Sequence, residues 1–274
     1  MPMSQQDVAD LRAAVDGIPE GWYHTFEFPG GVVTEGFFDH RGLLHRFPFP
    51  PSLEGKRCLD LASSDGLFAF EMARRGGDVW SVDLDDTTRQ DWQADGGGVD
   101  RSVGVGRARR AFDIARSALG LDVERVNMNI YDVSPENLGS FDFVFMGNIL
   151  LHLSDPGRAL RAARSVTAGS FLSFEIVSLN LSLLKPRTPC AALAAKPQQW
   201  WTANLAAHKQ LLVGAGFEVV DSRFPLFQRF GPHLQDLSFR ENPPWRWPKP
   251  YGEHLAFWLF WRPFGAPSAW ALCR

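Results

Sequence analysis

The sequence predicts an α/β fold built on a mostly parallel, doubly wound sheet. Three observations predict it. Short apolar runs bounded by turn residues alternate with stretches of helical spacing through residues 56–221, the pattern of a sheet covered by helices on both faces. Acidic residues close successive apolar runs, at Asp60, Asp83 and Asp132. The chain has 274 residues, 45% of them hydrophobic. That suits one large domain with additions, because single cores stop growing at roughly 250–300 residues.

In chain order, residues 4–17 place Val8, Leu11, Val15 and Ile18 at helical spacing. Residues 21–51 are rich in Gly, Pro and aromatics, with a turn at Pro29-Gly30-Gly31 and a short helix expected over 37–46. Residues 1–50 are therefore read as a helical and aromatic cap on a main domain spanning 51–264. Residues 56–62 form a first strand, ended by the Ser63-Ser64-Asp65-Gly66 turn, and 67–75 a helix stopped by Gly76-Gly77. Residues 79–82 form a second strand closed by Asp83. The Gly-rich segment 94–105 reads as a loop, 107–119 as a helix and 123–130 as a third strand. A fourth strand covers 141–146. The next helix starts at Asp155-Pro156, where proline suits the first turn, and a fifth strand covers 170–177. Beyond it come a helix over 202–214, a strand over 217–221 and a last strand over 254–261. Segments 178–200 and 223–252 are too long for simple connections and are expected to be lids or substrate-binding insertions.

Net charge is −3. The run Arg107, Arg109, Arg110 reads as a solvated helix start, so no nucleic-acid partner is expected. Cys58, Cys190 and Cys273 are too scattered for a zinc site or a disulfide framework. No secretory pattern opens the chain, and no run approaches the ~20 apolar residues of a membrane helix. The expectation is a soluble cytoplasmic protein with no membrane partner. Ten Trp and 22 Phe concentrate in the first 50 residues and after Trp200, where aromatics suit an apolar ligand pocket.

In open α/β sheets, ligands bind beyond the carboxyl ends of the strands. The turn after Asp60 brings backbone N–H groups to that edge. Asp83 is an acceptor-only group that suits two ribose hydroxyls. Asp132, in Tyr131-Asp132-Val133, is expected to accept from an adenine amine.

The segment Lys56-Arg57-Cys58-Leu59-Asp60-Leu61-Ala62-Ser63-Ser64-Asp65-Gly66 resembles motif I of the class I methyltransferases that use S-adenosylmethionine (SAM). Val79-Trp80-Ser81-Val82-Asp83 is similar to motif II. The stretch from Phe141 to Met146-Gly147-Asn148 and His152 is similar to the fourth-strand motif. With Gly214 to Val220, the resemblance spans about residues 20–262. Within the class, Trp22-Tyr23-His24, Met146-Gly147 and His152 are most similar to the group containing tRNA wobble-uridine carboxymethyl-transferring enzymes. The resemblance implies a seven-stranded Rossmann-like sheet of order 3-2-1-4-5-7-6 with strand 7 antiparallel. It also implies SAM as cofactor and S-adenosylhomocysteine (SAH) as product. The candidate cofactor set is Asp60, Ala62, Ser63, Ser64, Gly66, Asp83, Leu84, Tyr131, Asp132, Val133, Met146 and Gly147. One departure matters: Ala62 and Ser64 stand where the family carries glycine. Either the turn avoids positive φ there, or the pocket is altered.

Methyl transfer is an in-line displacement from a sulfonium, so positioning and proton removal are what the protein supplies. No metal cluster is needed and none is visible. His152 is the first candidate base and His24 the second. Tyr23, Phe38, Asn148, Trp200 and Trp201 are the candidate substrate contacts. A small-molecule acceptor of specialised metabolism, methylated on oxygen, is the leading expectation. A tRNA-modifying enzyme and a non-catalytic SAM-binding protein are the alternatives.

Overall fold

The computed structural model describes residues 4–18, 21–93, 100–196, 198–235 and 265–274. Helix α1 (Gln5–Asp16) starts at a capping box in which Ser4 and Asp7 satisfy each other's backbone N–H groups. Strands β1 (Trp22–His24), β2 (Glu27–Phe28), β3 (Val32–Val33) and β4 (Gly36–Asp39) follow. The helix expected over 37–46 is absent. Residues 36–39 instead pair in parallel with β1, and only Leu44–Arg46 form a 3₁₀ turn. Gly36 explains the change: a Cβ there would lie 2.3 Å from the His24 carbonyl carbon, so only glycine admits this strand contact.

The central units are β5 (Arg57–Leu61), α2 (Leu67–Arg74), β6 (Asp78–Asp83), α3 (Arg107–Leu119), β7 (Glu124–Asn127), α4 (Pro135–Leu138), β8 (Phe141–Gly147), α5 (Pro156–Val166) and β9 (Thr167–Ile176). Their period-2 alternation splits the core into two layers. Cys58, Phe143, Phe145, Leu172 and Phe174 face α2, α3 and the aromatic cap. Leu59, Leu61, Val144, Met146 and Phe171 face α5 and the helix that follows the insertion.

The rest comprises α6 (Leu179–Leu184), the hairpin β10 (Ala191–Lys196) and β11 (Gln199–Ala203), α7 (Leu205–Gly214), β12 (Val219–Phe230), α8 (Pro232–Gln235) and β13 (Ala266–Cys273). The sheet has nine strands rather than seven, in the order β1-β4-β12-β13-β9-β8-β5-β6-β7. The β5–β9 block is parallel, and β13 runs antiparallel to both β9 and β12. The cap joins this sheet through Asp39 and Phe38, which pair with Arg229 and Phe230. Residues 223–230, expected to open an insertion, extend β12. The expected last strand over 254–261 lies outside the described residues. So do Trp245, Trp247, Trp258 and Trp261 of the aromatics that follow Trp200. Among the described residues, no helix is long and apolar enough to cross a membrane.

Candidate active site

The turn after β5 keeps the positive φ that glycine would supply: φ is 60° at Ala62 and 50° at Ser64. Left-handed backbone at a residue with a Cβ costs roughly 1–2 kcal/mol, so other contacts must hold it. The Ala62 N–H donates to the Val82 carbonyl at 2.8 Å. The Ser64 N–H donates to Asp83 Oδ2 at 2.5 Å, and Arg125 Nη1 donates to the Ser64 carbonyl at 2.8 Å. Arg125 is buried, lies 4.9 Å above the Phe112 ring and pairs with Asp85 at 3.1 Å. Gly66 retains its glycine because a Cβ would lie 2.6 Å from the Phe112 ring.

This turn forms one wall of a cavity of about 540 Å³. Six members of the sequence-derived cofactor set line it: Ala62, Ser64, Asp83, Leu84, Tyr131 and Gly147. Tyr23, Phe38, Asn148 and His152 line it too. The other members lie elsewhere. Asp60 is buried under α2, with the Ala69 N–H bonded to it, and burial raises its pKa well above the usual carboxylate range. Ser63 is buried against Ser81, and its hydroxyl lies 2.5 Å from the Ser81 hydroxyl. Gly66 caps α2, and Val133 and Met146 belong to the core.

Asp132 requires a correction. A 3₁₀ turn over Ile130–Asp132 turns it outward, where it is exposed and lies 3.7 Å from Arg158. Asn129, three residues earlier, lines the cavity, and its side chain accepts from the Tyr131 N–H at 3.0 Å. His24 also lies outside the lining. Its Nδ1 pairs with Asp65, whose other oxygen accepts the Tyr23 and His24 N–H groups at 2.9 and 2.8 Å. Burial alone would raise the Asp65 pKa, but the His24 charge and hydrogen bonds hold it below the usual range. Neighbouring His40 is pushed down to about 3 by burial and by that same charge.

The Asp83 carboxylate is fixed between two donors, Ser64 N–H and the Leu84 N–H at 2.7 Å. Burial raises its pKa, opposed by Arg125 and by those N–H groups. Each carboxylate oxygen has a second lone pair, so this donor-held group fits a ligand presenting two hydroxyls. The small side chains of Ala62 and Ser64 and the bare Gly147 leave the backbone approachable from the cavity. The residues present thus fit a nucleoside with a sulfonium arm.

The far wall is a roof made by the hairpin. Trp200 Nε1 donates to the Asp91 carbonyl at 2.9 Å, and Gln93 Nε2 donates to the Ala194 carbonyl at 3.1 Å. Tyr131 donates to Asp91 at 2.5 Å, and Asp91 also accepts the Ser154 N–H and hydroxyl. Trp200 is therefore a roof anchor outside the lining, and Trp201 lines a different cavity. His152 Nδ1 lies 2.5 Å from the Gln198 carbonyl. A carbonyl only accepts, so Nδ1 carries the proton and the Nε2 lone pair is the basic site. Burial lowers the His152 pKa, and the carbonyl partly opposes this.

Behind the site, Asn148 (φ 54°) and Gln228 exchange two hydrogen bonds at 2.8 and 3.0 Å. Glu175 accepts the Ile149 and Leu150 N–H groups, each at 3.3 Å, and so shapes the same turn. The sequence showed no signal for Arg125, Glu175 or Gln228, because their partners lie far away in the chain; Asn129 was missed because its inward turn depends on the local 3₁₀ geometry. Burial pushes Glu175 up to about 8. A raised folded pKa means this group's contribution is intact below the unfolded value near 4.5 and is lost as pH rises toward 8. Glu175→Gln should therefore stabilise the protein at pH 7.5 by about 4 kcal/mol at most, and hardly at all at pH 4.5. Urea unfolding of both proteins at the two pH values checks this, and an equal difference at both would refute it.

Residues 59–172 match the family described as a methyltransferase domain. The chain is 27% identical over 133 residues to a ubiquinone biosynthesis O-methyltransferase of Bordetella avium (strain 197N), covering 47% of this chain and 46% of that one. It is 26% identical over 181 residues to the protein of that name from Paracidovorax citrulli (strain AAC00-1), covering 61% and 68%. The chain thus spans about half the length of most of the curated relatives it matches. Among solved structures it is similar to the [4+2]-cyclase SpnF. That likeness has a TM-score of 0.51 at 18% identity, covers 81% of this chain and 75% of the cyclase, and concerns the fold.

Proposed function

We propose, starting from the methyltransferase domain of residues 59–172, that this protein transfers a methyl group from SAM to a small-molecule acceptor, with oxygen the favoured atom. The observation that carries the reading is Asp83. It is a donor-held carboxylate at the carboxyl end of β6, opening on a cavity that also holds His152 and Asn148. When bound, SAM supplies an electrophilic methyl group and a good leaving group. The chain's own residues do the rest. Ala62, Ser64 and Gly147 let the nucleoside lie close to the backbone, Asp83 takes the ribose, and Asn129 and Tyr131 flank the base. Tyr23 and Phe38 close the cavity from the cap side and exclude water. His152, held by Gln198, accepts the acceptor's proton at Nε2. The names of the two O-methyltransferase relatives support oxygen as the target.

A tRNA acceptor would predict binding that weakens steeply with salt. The net charge of −3 favours a small molecule instead. The test is calorimetric titration with SAH, followed by transfer from labelled SAM to a panel of phenols and carboxylic acids. His152→Ala should bind SAH within about twofold of wild type yet lower kcat by roughly 10²–10⁴-fold. Unchanged turnover in that variant would remove His152 as the base. Absence of SAH binding by the wild-type protein would remove the transferase reading.

A further inference from the structure

A second cavity, of about 370 Å³, adjoins the first. It lies between α5, α7, the end of β9 and the β10–β11 hairpin, at the low end of the roughly 300–1,000 Å³ typical of small-molecule sites. Its walls are mostly apolar: Leu151, Ile176, Val177, Ala207, Leu211 and the Trp201 ring. Leu151 and Ile176 also line the Asp83 cavity, so the two chambers share a wall. The hairpin roofs both. Trp201 Nε1 donates to the Leu150 carbonyl at 2.8 Å on one side, and Gln198 holds His152 on the other.

We propose that this second chamber holds the apolar limb of the methyl acceptor, an uncharged molecule with a hydrocarbon or aromatic arm carrying a single hydrogen-bonding group. The inference rests on the transferase reading and names the substrate class of that same site. Two features point to a ligand here. The first is the largely apolar surface itself, which disfavours a charged or sugar-like occupant. The second is His208, a buried residue of the chamber lining. Its Nε2 lies 2.9 Å from the Ser173 hydroxyl, while its Nδ1 is buried without a partner. An unmatched buried ring nitrogen is unfavourable; this one lies just behind the chamber wall, where a small shift of the ring would bring it to a ligand hydroxyl or carbonyl. Burial pushes His208 down to about 4 and Glu175, also in the lining, up to about 8. Both groups are thus neutral near pH 7, and Arg161, the charged residue of the lining, is exposed to solvent, so the buried part of the wall matches an uncharged ligand. The head of such a molecule sits by His152 in the first chamber, and the arm passes Leu151 and Ile176 into the second.

The experiment uses the full chain saturated with SAH and calorimetric titration with 4-ethyl-, 4-butyl- and 4-hexylphenol. Each added methylene buried is worth about 0.8 kcal/mol, so affinity should rise about tenfold for every two methylenes. Ala207→Trp, which fills the chamber from α7, should abolish the chain-length dependence while leaving SAH affinity within about twofold. Ala203→Phe, on the roof, gives the same readout from an independent position should the first variant not fold. His152→Ala should weaken all three phenols by a common factor and leave the slope intact. A flat series, a slope that survives both chamber-filling variants, or phenol binding indifferent to His152 would each overturn the proposal. SAH binding with a flat series overturns only the limb. A clear slope without any SAH binding overturns the transferase reading and the acceptor role of the chamber with it.

Discussion

Asp83→Ala should lose at least 100-fold in SAH affinity while remaining folded. In the proposed complex the carboxylate accepts two ribose hydroxyls, and hydrogen bonds to a charged partner contribute about 1.5–3 kcal/mol each. Two of them amount to a factor of 100 or more. The loss has a second component. The Ser64 and Leu84 N–H groups both donate to this carboxylate, and without it the strained turn at Ala62 and Ser64 loses one of its clamps. Asp83→Asn keeps the size and one acceptor oxygen, so it should lose less, about 10-fold to 100-fold. Calorimetry with SAH, alongside a thermal melt to verify folding, measures both variants. A folded Asp83→Ala protein that binds SAH within threefold of wild type would show that the ribose lies elsewhere.

The second large effect concerns stability. His24 and Asp65 form a buried hydrogen-bonded pair, with side chains 5% and 1% exposed. Removing one member leaves the other buried without its partner, at a cost of up to about 3–5 kcal/mol. His24→Phe and Asp65→Asn should each destabilise by that order. The double variant should be less destabilised than the sum of the two, because the partners act as one unit. Asp65 also holds the Tyr23 and His24 N–H groups, so its replacement should loosen β1 and with it the Tyr23 wall of the cavity. Denaturant unfolding of the four-member cycle tests this. Strict additivity, or single effects below about 1 kcal/mol, would mean that the pair does not fasten the cap.

The parallel heart of the molecule was legible because its signals are local. Residues 57–61, 78–83 and 141–147 are short apolar runs bounded by turn residues, and the helices at 67–74, 107–119 and 156–166 have clear ends. Asp83 was legible for the same reason: it closes a strand and stands next to the edge where ligands bind. Where geometry depended on distant partners, the sequence was silent or misleading. A short helix is expected over 37–46, yet Gly36 packs directly on the β1 backbone and makes 36–39 a strand. Strand β13 carries three alanines and a proline, which weaken its strand propensity, and pairing between two strands overrides that preference. Asp132 was placed by counting to a strand end, whereas the 3₁₀ turn ahead of it rotates Asn129 inward and Asp132 to solvent. Gln228 reaches Asn148 only because β12 runs on as far as Phe230.

The junction of the cap with β12 has a consequence for how a nascent chain matures. Asp39 finds its ladder partner only in Arg229, so during synthesis the outer rim formed by the cap waits for most of the polypeptide to leave the ribosome. An uncovered rim is a template for pairing with other chains, and contacts this remote in sequence close slowly. The bond from His24 to Asp65 closes far earlier. It can hold the cap against the emerging first strand and helix until β12 arrives to complete the rim.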